Sequence, residues 1–179
     1  MRSRWLFLPV LGAPALHAPV LRFDWLRGFK RPIDGGLTWR GRRLLGDNKT
    51  WRGAVVMITG VLTATLLLSP WDWWWSELPS GIRDAGPVVF GVLLGVGTVL
   101  DELPNSFLKR QLGIPPGQQR SLLFTIYDQA DFVLVIWIVL LPLWTMSVWQ
   151  AAFVFAVVTA VHLVINVIGY AIGARTAPI

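Results

Sequence analysis

Residues 132–174 read FVLVIWIVLLPLWTMSVWQAAFVFAVVTAVHLVINVIGYAIGA, 43 positions without one Asp, Glu, Lys or Arg. A helix crosses the hydrocarbon core of a bilayer in about 20 apolar residues, so this run is long enough for two crossings. Residues 147–150 are the expected turn between them. Working back towards the amino terminus, residues 85–100 form a further apolar stretch, short by itself but able to extend through residues 103–108. Residues 54–70 form a cleaner one, and residues 5–21 an uncharged one that Pro9, Pro14 and Pro19 should bend or break. The pattern predicts an all-α, polytopic membrane protein of about five transmembrane helices, forming a single domain over residues 1–179. Composition agrees. Of 179 residues, 54% are hydrophobic and 15% charged, whereas a soluble domain carries about 25% charged residues to cover its surface. The chain has no Cys, which excludes disulfides, thiolate metal sites and a cysteine nucleophile.

The net charge of +6 raises the possibility of nucleic acid, but the cations lie beside the apolar runs, as the positive-inside rule expects. Nine Lys and Arg fall between Arg22 and Arg52, and Lys109, Arg110 and Arg120 follow the third apolar stretch. The other two connections hold only Arg83. The amino terminus is therefore expected outside, the carboxyl terminus inside, and the Trp71-Asp72-Trp73-Trp74-Trp75 cluster at the outer interface in an aromatic belt. A cleaved secretory signal over residues 1–18 is the competing reading of the amino terminus, which the prolines and the downstream cations oppose. The expected location is the cell membrane, with a polar site on the cytoplasmic side.

Seven of the ten acids gather on that same side. A lipid-headgroup patch would need only the cations. Carboxylates and cations together suit a metal–phosphate site, in which acids hold Mg²⁺ and Lys and Arg take the remaining phosphate charge. In Gly46-Asp47-Asn48-Lys49-Thr50-Trp51-Arg52-Gly53, glycines admit close backbone approach, Lys49 is a point charge and Arg52 offers a bidentate fork. A turn with a cationic anchor is the plainer reading of that block. If the chain stays helical past Pro104, then Glu102, Ser106 and Lys109 or Arg110 share one face, with a helix-end ion pair as the alternative. Asp128 and Asp131 are spaced to converge on one cation, or to let one of them cap the fourth crossing. His162, Asn166 and Tyr170 recur every fourth residue as a polar stripe, which interhelical hydrogen bonding would also explain. Gly91 and Gly95 read as helix packing.

Taken in order, Gly46 to Gly53, Asn105-Ser106-Phe107-Leu108-Lys109-Arg110, Asp128-Gln129-Ala130-Asp131-Phe132 and the His162, Asn166, Tyr170 stripe resemble the CDP-archaeol synthase family, which is grouped with the CDP-diacylglycerol synthases. Pro32-Ile33-Asp34 also fits, and the resemblance covers roughly residues 5 to 175. It implies a five-helix membrane enzyme, a cytidylyltransferase that uses CTP and Mg²⁺ to place CMP on a lipid phosphate and releases pyrophosphate. By that resemblance Glu102, Asp128 and Asp131 hold metal, Lys49, Arg52, Lys109 and Arg110 act on the phosphates, and Asp47, Asn48, Thr50, Ser106 and Asn166 shape the nucleotide site. Where the family has Gly-Asp, this chain has Asp101-Glu102, so Glu102 takes the Asp position with a longer arm; Pro104 and Asn105 also depart. The rival from another class is a non-catalytic lipid-binding or transport protein of the same fold.

Overall fold

The computed structural model describes residues 5–114, 122–145 and 147–171, with side chains for all of these except 122–130, 158, 161–163 and 165–171. The chain is mostly helical. Pro9 lies in a short 3-10 turn, Leu8–Leu11, which feeds α1 (Gly12–Arg22). The prolines thus convert the first apolar stretch into a turn and a short helix rather than abolishing it. Pro14 falls where a helix has no use for its N–H, and Pro19 is accommodated inside. Then follow α2 (Trp51–Leu68), the single turn α3 (Asp72–Trp75), α4 (Ser80–Gln111), α5 (Leu122–Leu140) and α6 (Val148–Ala171). Among the described residues, α2 and α4 are long and apolar enough to cross a membrane, while α5 and α6 run 19 and 24 residues.

Three expectations need correction. The chain is not purely α: Thr38–Trp39 (β1) and Arg42–Arg43 (β2) pair antiparallel across a two-residue turn at Arg40 and Gly41. Both turn residues have positive φ (51° and 75°), the primed geometry whose twist matches a hairpin. The last turn also lies earlier than expected, since α5 ends at Leu140 and α6 begins at Val148; Pro142 cannot continue a helix, whereas Ser147 to Gln150 is compatible with one. Finally, α5 begins at Leu122, so Asp128 and Asp131 are interior to the helix and neither caps it.

Helix α4 continues through Pro104 to Gln111, so Glu102, Ser106 and Lys109 do share a helical surface. Its break comes instead at Gly86 (φ 82°, ψ 164°), a conformation open only to glycine, after which Pro87 restarts the helix. Small residues set the helix spacing. A Cβ on Gly95 would lie 2.9 Å from Ile58 Cα, and one on Gly91 3.1 Å from Leu62 Cα, which bears out the packing role of that pair. Gly12 and Gly60 bring α1 and α2 into backbone contact: a Cβ on Gly60 would stand 2.3 Å from the Gly12 carbonyl oxygen.

Trp74, Phe90, Ile82, Leu94 and Ile136 form the core, with Leu6 from the amino-terminal segment also fully buried. Trp74 Nε1 donates to the Trp5 carbonyl at 2.8 Å. The tryptophan cluster is therefore divided: Trp71 and Trp73 are exposed, whereas Trp74 is buried and tied to the backbone of the amino-terminal segment at Trp5. That segment packs as an integral part of the fold.

Candidate active site

The loop from residue 23 to residue 50 is built around one buried carboxylate. Asp34 Oδ1 accepts from Arg43 at 2.7 Å and from the Gly36 N–H at 3.0 Å, and Oδ2 accepts from the Leu45 and Gly46 N–H groups at 2.9 and 3.3 Å. Burial raises the Asp34 pKa, but the Arg43 guanidinium and these backbone donors outweigh it and hold the carboxyl at about 2, against 3.8 normally. Asp34, and after it the exposed Asp47 at 2.5 Å, push the Arg43 pKa up. The loop's return is stitched to its start: Ile33 N–H donates to the Lys49 carbonyl at 2.8 Å and Trp51 N–H to Arg31 at 3.0 Å. Thr50 Oγ1 then caps α2 by accepting from the Gly53 N–H at 3.2 Å.

This frame presents the Gly46–Gly53 segment to α4. Gly46 has φ 96°, and a Cβ there would meet Arg110 Nε at 3.3 Å, so glycine permits both the turn and the approach of α4. Lys49 Nζ forms an ion pair with Glu102 Oε2, joining residues 53 apart in sequence. Arg42 donates to the Gln111 carbonyl, and Gln111 Nε2 donates to the Arg43 carbonyl at 3.2 Å, which fixes the hairpin on the end of α4. The result is a cavity of about 310 Å³ between α1, α2, α4 and the loop.

Of the residues expected from sequence, Asp47, Asn48, Lys49, Thr50, Arg52 and Glu102 all line this cavity. Arg110 is outside this lining; it packs against Gly46 and donates to the Ile114 carbonyl at 2.5 Å. Lys109 and the buried Asp131 also lie outside the lining. Ser106 Oγ is committed to the Glu102 carbonyl at 2.7 Å, a contact within the helix. Asp128 and Asn166 lie on α5 and α6, and their side chains are outside the described residues, as are those of His162 and Tyr170. Arg52 is buried and paired with Asp24 at 2.6 Å, and this hydrogen bond lowers the Asp24 pKa. His17, Lys30 and Asp24 were missed by sequence reasoning. Asp24 has no sequence signal, because only the tertiary fold sets it opposite Arg52.

Glu102, Asp131 and Asp128 are hard oxygen donors, the kind Mg²⁺ takes. Glu102 faces the cavity from a mainly apolar helix, and Asp131 is a buried carboxylate on another. Charges so placed are costly unless paired or ligating; Glu102 is paired with Lys49, and among the described residues no three His, Asp or Glu side chains gather as a metal site would require.

Comparison with known proteins decides the kinship. A family model described as CarS-like, CDP-archaeol synthase, matches residues 2–179. The chain belongs to the CDP-archaeol synthase family. The CDP-archaeol synthase of Thermococcus kodakarensis is 35% identical over 97% of this chain and 93% of its own length. That of Halobacterium salinarum is 35% identical over 86% of each. A solved structure of an intramembrane enzyme for archaeal membrane lipid biosynthesis matches with a TM-score of 0.67 and 28% identity over 90% of both chains. Family membership bears out the expected enzyme over its non-catalytic rival, and the chain is an integral membrane protein.

Proposed function

We propose that this CDP-archaeol synthase family member transfers CMP from CTP to a membrane lipid phosphate, and that it does so at the cavity beneath Lys49. The observation that carries this reading is the Lys49–Glu102 pair: it joins the phosphate-suited loop to the α4 carboxylate across one cavity. An oxygen of the lipid phosphate attacks the α-phosphorus of CTP, a new P–O bond forms, the α–β bridge breaks and pyrophosphate leaves. A phosphate monoester is already ionised near neutral pH, so positioning and charge stabilisation carry the step. Lys49, Arg52, Lys109 and Arg110 supply the positive charge along the phosphates. Arg52 Nη1 holds Asp24, leaving other N–H groups of its fork for a phosphate. Asp47, Asn48 and Thr50, with Ser106 and Asn166, shape the nucleotide site. Glu102, Asp128 and Asp131 would hold Mg²⁺, which neutralises charge on the phosphates when bound.

The same reading places about five crossings in one domain, residues 1–179, with the amino terminus outside and the cavity at the cytoplasmic face. Twelve loop cations on one side against one on the other support it. The purified protein in nanodiscs is given radiolabelled CTP, a panel of ester- and ether-linked lipid phosphates, and either Mg²⁺ or EDTA. Labelled CDP-lipid formed only with the divalent ion is expected. Failure of every lipid phosphate with folded protein would sink the reaction, and equal turnover in EDTA would sink the metal.

A further inference from the structure

The chain leaves α1 through a strained turn. Trp25 N–H donates to the Val20 carbonyl at 3.0 Å and Asp24 N–H to the Leu21 carbonyl at 3.2 Å, the paired closure of a helix end whose left-handed residue is usually glycine. Asp24 occupies that position with φ 48°, and Leu26 follows with φ 56°. Of the three non-glycine residues with positive φ among those described, two therefore fall here. A Cβ in this conformation crowds the backbone, which Asp bears better than most residues and a bulky Leu badly. Glycine would keep the turn but lose the side chain. Asp24 Oδ1 accepts from Arg52 Nη1 at 2.6 Å, and Oδ2 pairs with Arg27 Nε at 2.9 Å. The Trp25 carbonyl lies 3.4 Å from the same Nη1, so the turn grips one nitrogen of Arg52 with two acceptors.

Arg52 is buried and lines the charged cavity, whereas Asp24 is not part of that lining. A carboxylate at this place opposes phosphate binding, because it cancels part of the guanidinium charge. What it supplies is orientation. With Nη1 held, the planar fork of Arg52 cannot turn freely, and its other N–H groups keep one direction. We infer that Asp24 is a positioning residue for the transfer reaction: the Asp24-Trp25-Leu26 turn aims the Arg52 guanidinium at the phosphate of CTP that is attacked, while weakening the hold on the nucleotide. The assignment rests on the function proposed above. A plain staple between α1 and α2 is the alternative, and it leads to a different pattern of effects.

Asp24→Gly is the informative change, because glycine suits the left-handed backbone and the helix end stays closed. In nanodiscs, kcat for CDP-lipid formation should fall about tenfold or more, as misplacement of a catalytic group does. CTP should bind equally or more tightly by calorimetry, and the midpoint of thermal unfolding should hold. Asp24→Asn keeps an oxygen acceptor for Nη1 and should recover most of kcat. In an Arg52→Lys background, which has no fork to orient, Asp24→Gly should change kcat little further. Parallel falls in kcat, CTP affinity and unfolding midpoint would make the pair a staple and overturn the assignment. So would an unchanged kcat in Asp24→Gly, or a full further loss in the Arg52→Lys background. Tighter CTP binding by Asp24→Gly, with a wild type that makes no CDP-lipid, would refute the proposed reaction while leaving the hold of Asp24 on Arg52 standing.

Discussion

Asp34→Asn removes a charge that organises the whole presentation of Lys49. The fall of the Asp34 pKa from 3.8 to about 2 corresponds to about 2 kcal/mol of preference for the folded loop. The amide costs more than that, because its NH₂ must face donors. Both carboxylate oxygens accept, so wherever the NH₂ lies it opposes a backbone N–H of Gly36 or those of Leu45 and Gly46. Leaving a buried donor unmatched adds about 1 kcal/mol or somewhat more, for a total near 3 kcal/mol. Local opening should then become about 100-fold more frequent. Amide hydrogen exchange at Leu45 and Gly46, measured in nanodiscs and corrected for intrinsic rates, reads this directly. The sign with pH follows from a depressed carboxyl pKa: the stabilisation is complete above 3.8 and is lost as pH falls towards 2. Wild-type protection at these amides should fall in that window, and the variant should show no such dependence. Unchanged exchange at Leu45 and Gly46 in Asp34→Asn would refute the assignment of Asp34 as the loop's centre.

Two other substitutions test packing and chemistry. Gly60→Ala pushes a methyl against the Gly12 carbonyl and should destabilise the α1–α2 pair by about 1–3 kcal/mol, lowering the midpoint of thermal unfolding at a fixed scan rate. Gly28→Ala, which meets nothing within 4 Å, is the control, and equal midpoints for the two would remove the close contact. Glu102→Gln should lower turnover more than about tenfold, with partial recovery at raised Mg²⁺ if metal affinity is what was lost. Near-normal turnover would leave Glu102 as the ion-pair partner of Lys49 and nothing more.

The helices were legible because a membrane leaves few alternatives: a long apolar segment must satisfy its own backbone, and its length alone marks α2 and α4. The Gly46–Gly53 loop was legible because glycine, lysine and threonine each answer a local demand there, for a left-handed turn, a charge and a helix cap. What sequence did not show depends on distance along the chain. The Arg40-Gly41 hairpin lacks the usual Asn-Gly signal. Pairing of Arg52 with Asp24 spans 28 residues and changes an apparent free phosphate fork into a partly committed one. Reading Asp128 or Asp131 as a helix cap failed because the apolar count began at Phe132, whereas α5 already runs from Leu122.

The backbone contact between Gly12 and Gly60 has a geometric consequence for everything hung between those helices. From Gly12 to the end of α1 is about 15 Å of helix, and from Gly60 back to the start of α2 about 14 Å, at 1.5 Å per residue. The two helices run antiparallel from that crossing and emerge almost level, with Asp24 and Arg52 clasped just beyond it. The intervening segment therefore starts and finishes at one height on a rigid mount, like a cartridge in a socket. Because the α1–α2 contact already holds both ends together, little closure entropy is left for the segment itself, and its own hydrogen bonds around Asp34 are free to set where Lys49 stands.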